Sequence, residues 1–152
     1  MRVTRAEEYA IRCAYYLTKQ NKELITRRKE IAEAMDIPDQ FLGKIAQQLA
    51  RAGIIEIVQG AKGGFRLTAL PEKLSLLDVV EAVSGTIFLN DCVLRPGSCR
   101  RSDTCAVHAL WVKAKDQLRS TLRKATFSRL AKQENFLNRI SKKTGIRENT
   151  AR

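Results

Sequence analysis

Tyr9, Ala10, Cys13, Ala14 and Leu17 recur at the three- and four-residue steps of a helix face, and the polar run Asn21-Lys22-Glu23 ends that pattern. Just ahead of it, Thr4-Arg5-Ala6-Glu7 has the form of a capping box, in which the Thr hydroxyl and the Glu carboxylate each accept from an otherwise unpartnered backbone N–H. A second, short helix is expected from about Arg28 to Met35, burying Ile31, Ala32 and Met35. Asp36-Ile37-Pro38 reads as a turn, with Pro38 at the first position of a third helix, where no N–H is needed. That third helix is predicted over residues 38–52, with Phe41, Leu42, Ile45 and Leu49 inward and Gly53 just past its end.

The pattern then changes period. Residues 54–58 and 65–68 are β-rich runs flanking Gln59-Gly60-Ala61-Lys62-Gly63-Gly64, which predicts a hairpin. Three short helices followed by a hairpin predict a mainly α fold with a small β-hairpin wing: a winged helix-turn-helix over residues 1–70. In such a unit the third helix lies in the major groove of DNA and the wing touches the backbone or minor groove. The outward face of that helix carries Asp39, Gln40, Gly43, Lys44, Gln47, Gln48 and Arg51, rich in amides and cations that can read base edges. Gln40, Lys44, Gln47 and Gln48 are the candidate base contacts. Thr4, Arg28, Lys62 and Arg66 are the candidate phosphate contacts, with Gln59 and Gly63 beside them on a wing whose glycines let the main chain come close.

Residues 71–102 are expected to form a linking helix and a cysteine loop. Ser75-Leu76-Leu77-Asp78 caps the helix, Leu76, Val79, Val80 and Val83 make its apolar side, and Gly85 ends it. A long helix is predicted from near Asp103, within a dimerisation segment assigned to 103–143. Val107, Leu110, Trp111, Ala114, Leu118, Leu122 and Ala125 recur along it over about five turns. Such a stripe is longer than one small domain buries, and we read it as a homodimer interface, with burial inside one chain as the competing reading. Paired half-sites need paired reader helices, so a palindromic DNA site and a two-fold dimer go together. A short helix is expected from Gln133, around Phe136, Leu137 and Ile140, and a disordered tail over 144–152.

Charge adds a partner to this picture. The 152 residues carry a net charge of +12, a surplus that favours a polyanion such as double-stranded DNA. No apolar run is long enough to span a membrane, and Met1-Arg2-Val3-Thr4 opens no signal peptide. A cytoplasmic location is therefore expected, where cysteines stay reduced and a cysteine group binds metal more often than it forms disulfides.

Three of the four cysteines and the single histidine lie between positions 92 and 108, spaced Cys92-x6-Cys99-x5-Cys105-x2-His108. Cys105 and His108 share one helix face, and Cys92 and Cys99 sit on the loop before it. Paired CxxC knuckles of structural zinc are absent, and the wider spacing admits a larger centre. A 2Fe–2S core on three thiolates and a neutral imidazole carries a net charge of about −1 oxidised and −2 reduced, which Arg95, Arg100 and Arg101 would offset. Zinc binding and a thiol switch compete with that reading. Cys13 falls among core positions and is expected to be inert. No CxxC redox pair and no nucleophile with a neighbouring base appear, so an enzyme is not expected; an electron carrier with a cluster is the rival from another class.

Met1-Arg2-Val3-Thr4, Ile31-Ala32-Glu33, Phe41-Leu42, Gly60-x-x-Gly63-Gly64-Phe65, Leu77-Asp78-Val79-Val80-Glu81-Ala82 and Cys105-x-x-His108-Ala109-Leu110-Trp111 together resemble the iron–sulfur cluster regulator branch of the Rrf-type winged-helix repressors. The resemblance spans nearly the whole chain, to about Lys143. It implies a homodimeric bacterial repressor, sometimes an activator, that holds a 2Fe–2S cluster on Cys92, Cys99, Cys105 and His108. The chain departs from that branch in having one extra residue between the first two cysteines, Gly43 in place of a base-discriminating glutamate, and Gln59 in place of a wing arginine. A related nitric-oxide-sensing branch uses the three cysteines and a carboxylate from the first helix of the partner subunit. Glu8 occupies that place, which implies a 4Fe–4S centre as the alternative, in a nitric-oxide- or iron-sensing repressor.

Overall fold

The computed structural model describes residues 3–144; of the expected tail over 144–152, Thr144 is the last residue of a helix and residues 145–152 lie outside the described ones. Helix α1 spans Arg5–Lys19 and begins as the capping box requires. Thr4 N–H donates to Glu7 Oε2 at 2.6 Å, and Glu7 N–H donates to Thr4 Oγ1 at 3.2 Å. Tyr9, Ala10, Cys13, Ala14 and Leu17 are all buried. Helix α2, Arg28–Ala34, buries Ile31 fully and leaves Ala32 and Met35 half-buried.

Helix α3 spans Asp39–Arg51, so Pro38 stands one place before the helix instead of opening it. Its carbonyl accepts from the N–H groups of Phe41 and Leu42. The inward stripe is Leu42, Ile45, Ala46 and Leu49, not the expected set with Phe41. Spacing explains the exchange: those four positions fall at i, i+3, i+4 and i+7, and Phe41 is rotated off that face. Phe41 is 49% exposed and meets the Tyr9 ring edge-on, with centroids 5.8 Å apart.

Strands β1, Ile55–Val58, and β2, Gly64–Leu67, pair antiparallel with Glu56 opposite Arg66 and Ile57 opposite Phe65. The pair is widened by Thr26, whose N–H donates to the Phe65 carbonyl at 2.9 Å while Phe65 N–H donates to the Thr26 carbonyl at 2.8 Å. That third segment sets the glycine requirement. A Cβ on Gly64 would lie 2.1 Å from the Thr26 carbonyl oxygen, and one on Gly63 would lie 2.2 Å from that of Val58. The glycines expected to admit a phosphate are thus needed first by the protein's own backbone. Gly64→Ala is expected to cost about 3 kcal/mol through overpacking. At about 3 °C per kcal/mol that lowers Tm by about 9 °C in a thermal melt; a melt unchanged from the parent would contradict the packing argument.

Helix α4, Leu76–Ser84, is capped by Ser75 and Asp78 as expected and ends at Gly85. It has two apolar faces where one was expected. Val79, with half-buried Leu76, Ala82 and Val83, joins the main core of the winged unit, whereas Leu77 and Val80 join Ile87 in a second cluster against Leu118 and Leu122. Helix α4 is therefore a plate between two packed layers.

A short helix α5, Asp91–Leu94, and two single 3₁₀ turns lead to α6, Ala106–Lys124. Helix α6 starts at Ala106, with Cys105 as its capping residue, three places later than the expected Asp103. Helix α7, Phe127–Thr144, is longer than the short helix expected from Gln133. Its first residue accounts for the difference. Phe127 is fully buried in the main core, and its N–H donates to the Leu74 carbonyl at 2.9 Å. Two turns further along, Glu134 accepts from the Tyr15 hydroxyl at 2.7 Å and pairs with Lys19, which clasps α7 to α1. Burial and the Glu134 carboxylate push the Tyr15 phenol well above its usual range.

Candidate nucleic-acid interface and cysteine site

On the outer face of α3, Gln40, Lys44, Gln47 and Arg51 are exposed and point away from the core. Gln48 is not free in the same way. It is half-buried, and its Nε2 donates to the Val83 carbonyl of α4 at 3.1 Å. Arg28 lies along the same helix: its Nη2 donates to the Asp39 carboxylate at 2.6 Å and to the Asp39 carbonyl at 2.5 Å. Its guanidinium rests on Gly43, where a Cβ would come within 3.1 Å of Nη2. Gly43 thus makes room for a cation on the reader face, a role its position in the sequence gave no hint of. Arg28, Gly43 and Gln47 face Gln59, Gly60 and Gly63 across a cleft of about 320 Å³ between α3 and the hairpin.

The wing cations separate into two kinds. Lys62 and Gln59 are exposed at the hairpin tip. Arg66 sits within β2 and pairs with Glu56 directly across the sheet, so its charge is already matched. Thr4 is exposed at the start of α1, where its hydroxyl serves the cap. Glu8, one turn on, pairs with Arg12 of the same helix, and Arg12 also donates to the Met35 carbonyl at 3.1 Å.

The cysteine segment gathers at the start of α6. His108 Nδ1 lies 3.4 Å from Cys92 Sγ, and His108 N–H donates to Cys105 Sγ at 3.4 Å. Cys105 therefore caps the helix with its sulfur, using one of the N–H groups that a helix start leaves unpartnered. Two thiols thus flank one imidazole. Cys99 is exposed on the intervening loop, and among the described residues no group of three or more His, Cys, Asp or Glu side chains is close enough to hold a metal ion. Arg95 reaches Asp91 at 3.9 Å, and Arg100 and Arg101 are exposed on the same loop. The donor set, soft thiols with an imidazole, suits iron–sulfur chemistry; Cys99 is the member not yet brought in.

Cys13 is fully buried, and burial pushes its thiol up to about 12. Because the thiolate is the nucleophile, exposure and acidity together order the labelling. In cluster-free protein treated with iodoacetamide, Cys99 is expected to alkylate first and Cys13 only after unfolding, as read by timed mass spectrometry. Native-state labelling of Cys13 alongside Cys99 would contradict this burial.

The stripe on α6 divides. Val107, Leu110 and Trp111 are exposed, Ala114 is half-buried, and Leu118 and Leu122 pack against α4 within the same chain. Helix α7 adds Phe136, Leu137 and Ile140 as exposed apolar side chains.

Comparison with known proteins assigns this architecture. A family described as Rrf2, iron-dependent transcriptional regulator, matches residues 3–133. The chain belongs to the Rrf2 family. Among its relatives, "Protein aau3" of Rhizobium meliloti is 35% identical over 142 residues, covering 90% of this chain and 91% of the relative. The transcriptional regulator NsrR of Geobacillus kaustophilus is 34% identical over 104 residues, covering 63% and 71%. IscR of Xenorhabdus nematophila is 25% identical over 138 residues, covering 91% and 84%. Solved Rrf2-type structures share the fold: T. potens IscR at a TM-score of 0.70, 20% identity and 88% coverage of both chains. CymR, titled the global cysteine regulator of B. subtilis, superimposes at 0.71 with 21% identity, covering 88% of this chain and 98% of that one. The protein is thus an Rrf2 winged-helix transcriptional regulator, and among its described residues no helix is long and apolar enough to cross a membrane.

Proposed function

We propose that the protein is a homodimeric, cytoplasmic regulator that binds palindromic promoter DNA and senses iron–sulfur status through a 2Fe–2S cluster. The observation that carries the sensing part is the meeting of Cys92 and Cys105 on His108 at the start of α6. Cys92, Cys105 and His108 would hold the cluster together with Cys99. When bound, the cluster supplies a redox-active, anionic group whose loss the chain can register. His108 approaches Cys92 on its own, whereas Glu8 is engaged with Arg12, so histidine ligation is favoured over the Glu8 centre. The 4Fe–4S reading keeps one support, the relatives named NsrR.

For DNA, the free groups on the reader face are Gln40, Lys44 and Gln47, with Lys62 and Gln59 at the wing tip. Arg28, held by Asp39, lines the cleft between the two. Gln48 and Arg66 already have partners within the chain and contribute by holding the interface in shape. Two variants separate the roles. Gln47→Ala is expected to relax preference at one base pair by about 1–3 kcal/mol. Lys62→Ala is expected to weaken all duplexes alike and to reduce the salt slope of binding by about 1. The whole reading is tested by anaerobic purification, iron and sulfide analysis, and selection of duplexes from a random library. Enrichment of a palindrome whose affinity depends on the cluster supports it; no enrichment with or without cluster defeats it.

A further inference from the structure

Helix α4 touches the reader helix on one side and the cysteine-bearing half on the other, and one polar side chain fastens each side. Toward the reader, the Val83 carbonyl lies in the last turn of α4, where a helix has no partner of its own for its carbonyls. The Gln48 amide of α3 supplies that partner at 3.1 Å. Toward the cysteines, Glu81 Oε1 accepts from the Ile87 N–H at 2.9 Å and pairs with Arg119 of α6. Ile87 is buried in the second cluster and leads directly into the segment that carries Cys92.

Other ion pairs in the described residues have at least one partner well exposed to water, whereas Glu81 and Arg119 are 22% and 23% exposed. Solvent screens such a pair less, and its geometry is correspondingly fixed. Glu81 and Gln48 lie too far apart in sequence, and on helices too different, for any local pattern to join them.

We propose that Glu81 and Gln48 are positioning residues that make α4 a rigid lever: a shift of the cysteine segment at Ile87 moves α4, and Gln48 passes it to α3. The inference rests on the reading that the cysteines hold a cluster and α3 binds DNA. Gln48 then acts on affinity through the placement of the helix and not through a base.

The test uses the full chain, with and without reconstituted cluster, and a duplex that the unaltered protein selects from a random library. Fluorescence anisotropy gives the ratio of the two affinities, expected to be on the order of 10 for the unaltered chain. Glu81→Gln keeps the acceptor for Ile87 and removes the charge facing Arg119; Gln48→Met keeps the length and removes the donor. Both are expected to bring the ratio to within about twofold of one while iron and sulfide content stay unchanged. Arg119→Lys preserves the ion pair and is expected to keep the ratio. Hydrogen exchange on cluster-free protein gives a second readout: Glu81→Gln, which releases α4 from Arg119, should speed exchange in the last turn of α3. Full retention of the ratio in both variants, or unmoved exchange in α3, overturns the lever. An unaltered chain that selects no duplex, or whose ratio is one, overturns the underlying reading before any variant is compared.

Discussion

His108→Ala protein prepared without air is expected to lack the iron and sulfide that the unaltered chain carries, and to lose its visible absorption band with them. The imidazole Nδ1 lies 3.4 Å from Cys92 Sγ, and it sits on the first turn of α6 beside the sulfur that caps that helix. Alanine is a strong helix former, and position 108 is half-buried and outside both apolar clusters. The winged unit should therefore melt as before, so the loss reports on ligation and not on folding. Glu8→Ala serves as the contrast. Its carboxylate is paired with Arg12 on its own helix, and removing it is expected to leave the band in place. The opposite outcome, a band lost on Glu8→Ala and kept on His108→Ala, would move the assignment to a centre completed by the partner subunit.

The parts of the fold that were legible are those governed by neighbours in sequence. Thr4 and Ser75 announce their helices because a cap is a contact between residues three apart. The hairpin is announced by its glycine turn, although what Gly64 accommodates, the Thr26 carbonyl, is a long-range contact that no turn rule contains. Phe127 shows the same limit. Only Leu130 and Ala131 continue its spacing before the polar run Lys132-Gln133-Glu134-Asn135 interrupts it, yet it is fully buried and anchors α7. Periodicity detects long stripes and overlooks short ones.

The site follows the same division. Cys105 and His108 were legible as a pair because both ride one helix turn, whereas the approach of Cys92 depends on how the loop folds back. The reader face was legible in outline, but its polar residues divide by tertiary contact. Gln47 is exposed, and its neighbour Gln48 is turned one helix step toward α4 and captured there. Arg66 lay in a basic wing by sequence; the antiparallel register sets Glu56 opposite it, and that pairing is fixed only once the hairpin closes.

Leu110→Asp is expected to convert the protein to a monomer and to weaken binding to a palindromic duplex by at least about 100-fold. Leu110 is 61% exposed, with Val107 one turn before it and Trp111 next to it, one turn on from Val107, so three large apolar side chains meet water together in the isolated chain. The far half of the stripe behaves differently, because Leu118 and Leu122 already pack against Leu77, Val80 and Ile87. The two halves therefore make separable predictions. Leu110→Asp places a charge where a second copy would press, and leaves the chain's own core untouched. Two linked reader helices gain from each other's local concentration, by a factor of about 10²–10⁴, and a monomer forfeits that gain. Leu118→Ala opens a gap beneath α4 instead, and is expected to lower stability by about 2 kcal/mol with the dimer intact. Sedimentation velocity reads the first effect and chemical denaturation the second. A Leu110→Asp protein that still sediments as a dimer would assign pairing elsewhere, with the exposed Phe136, Leu137 and Ile140 of α7 the remaining apolar face to examine.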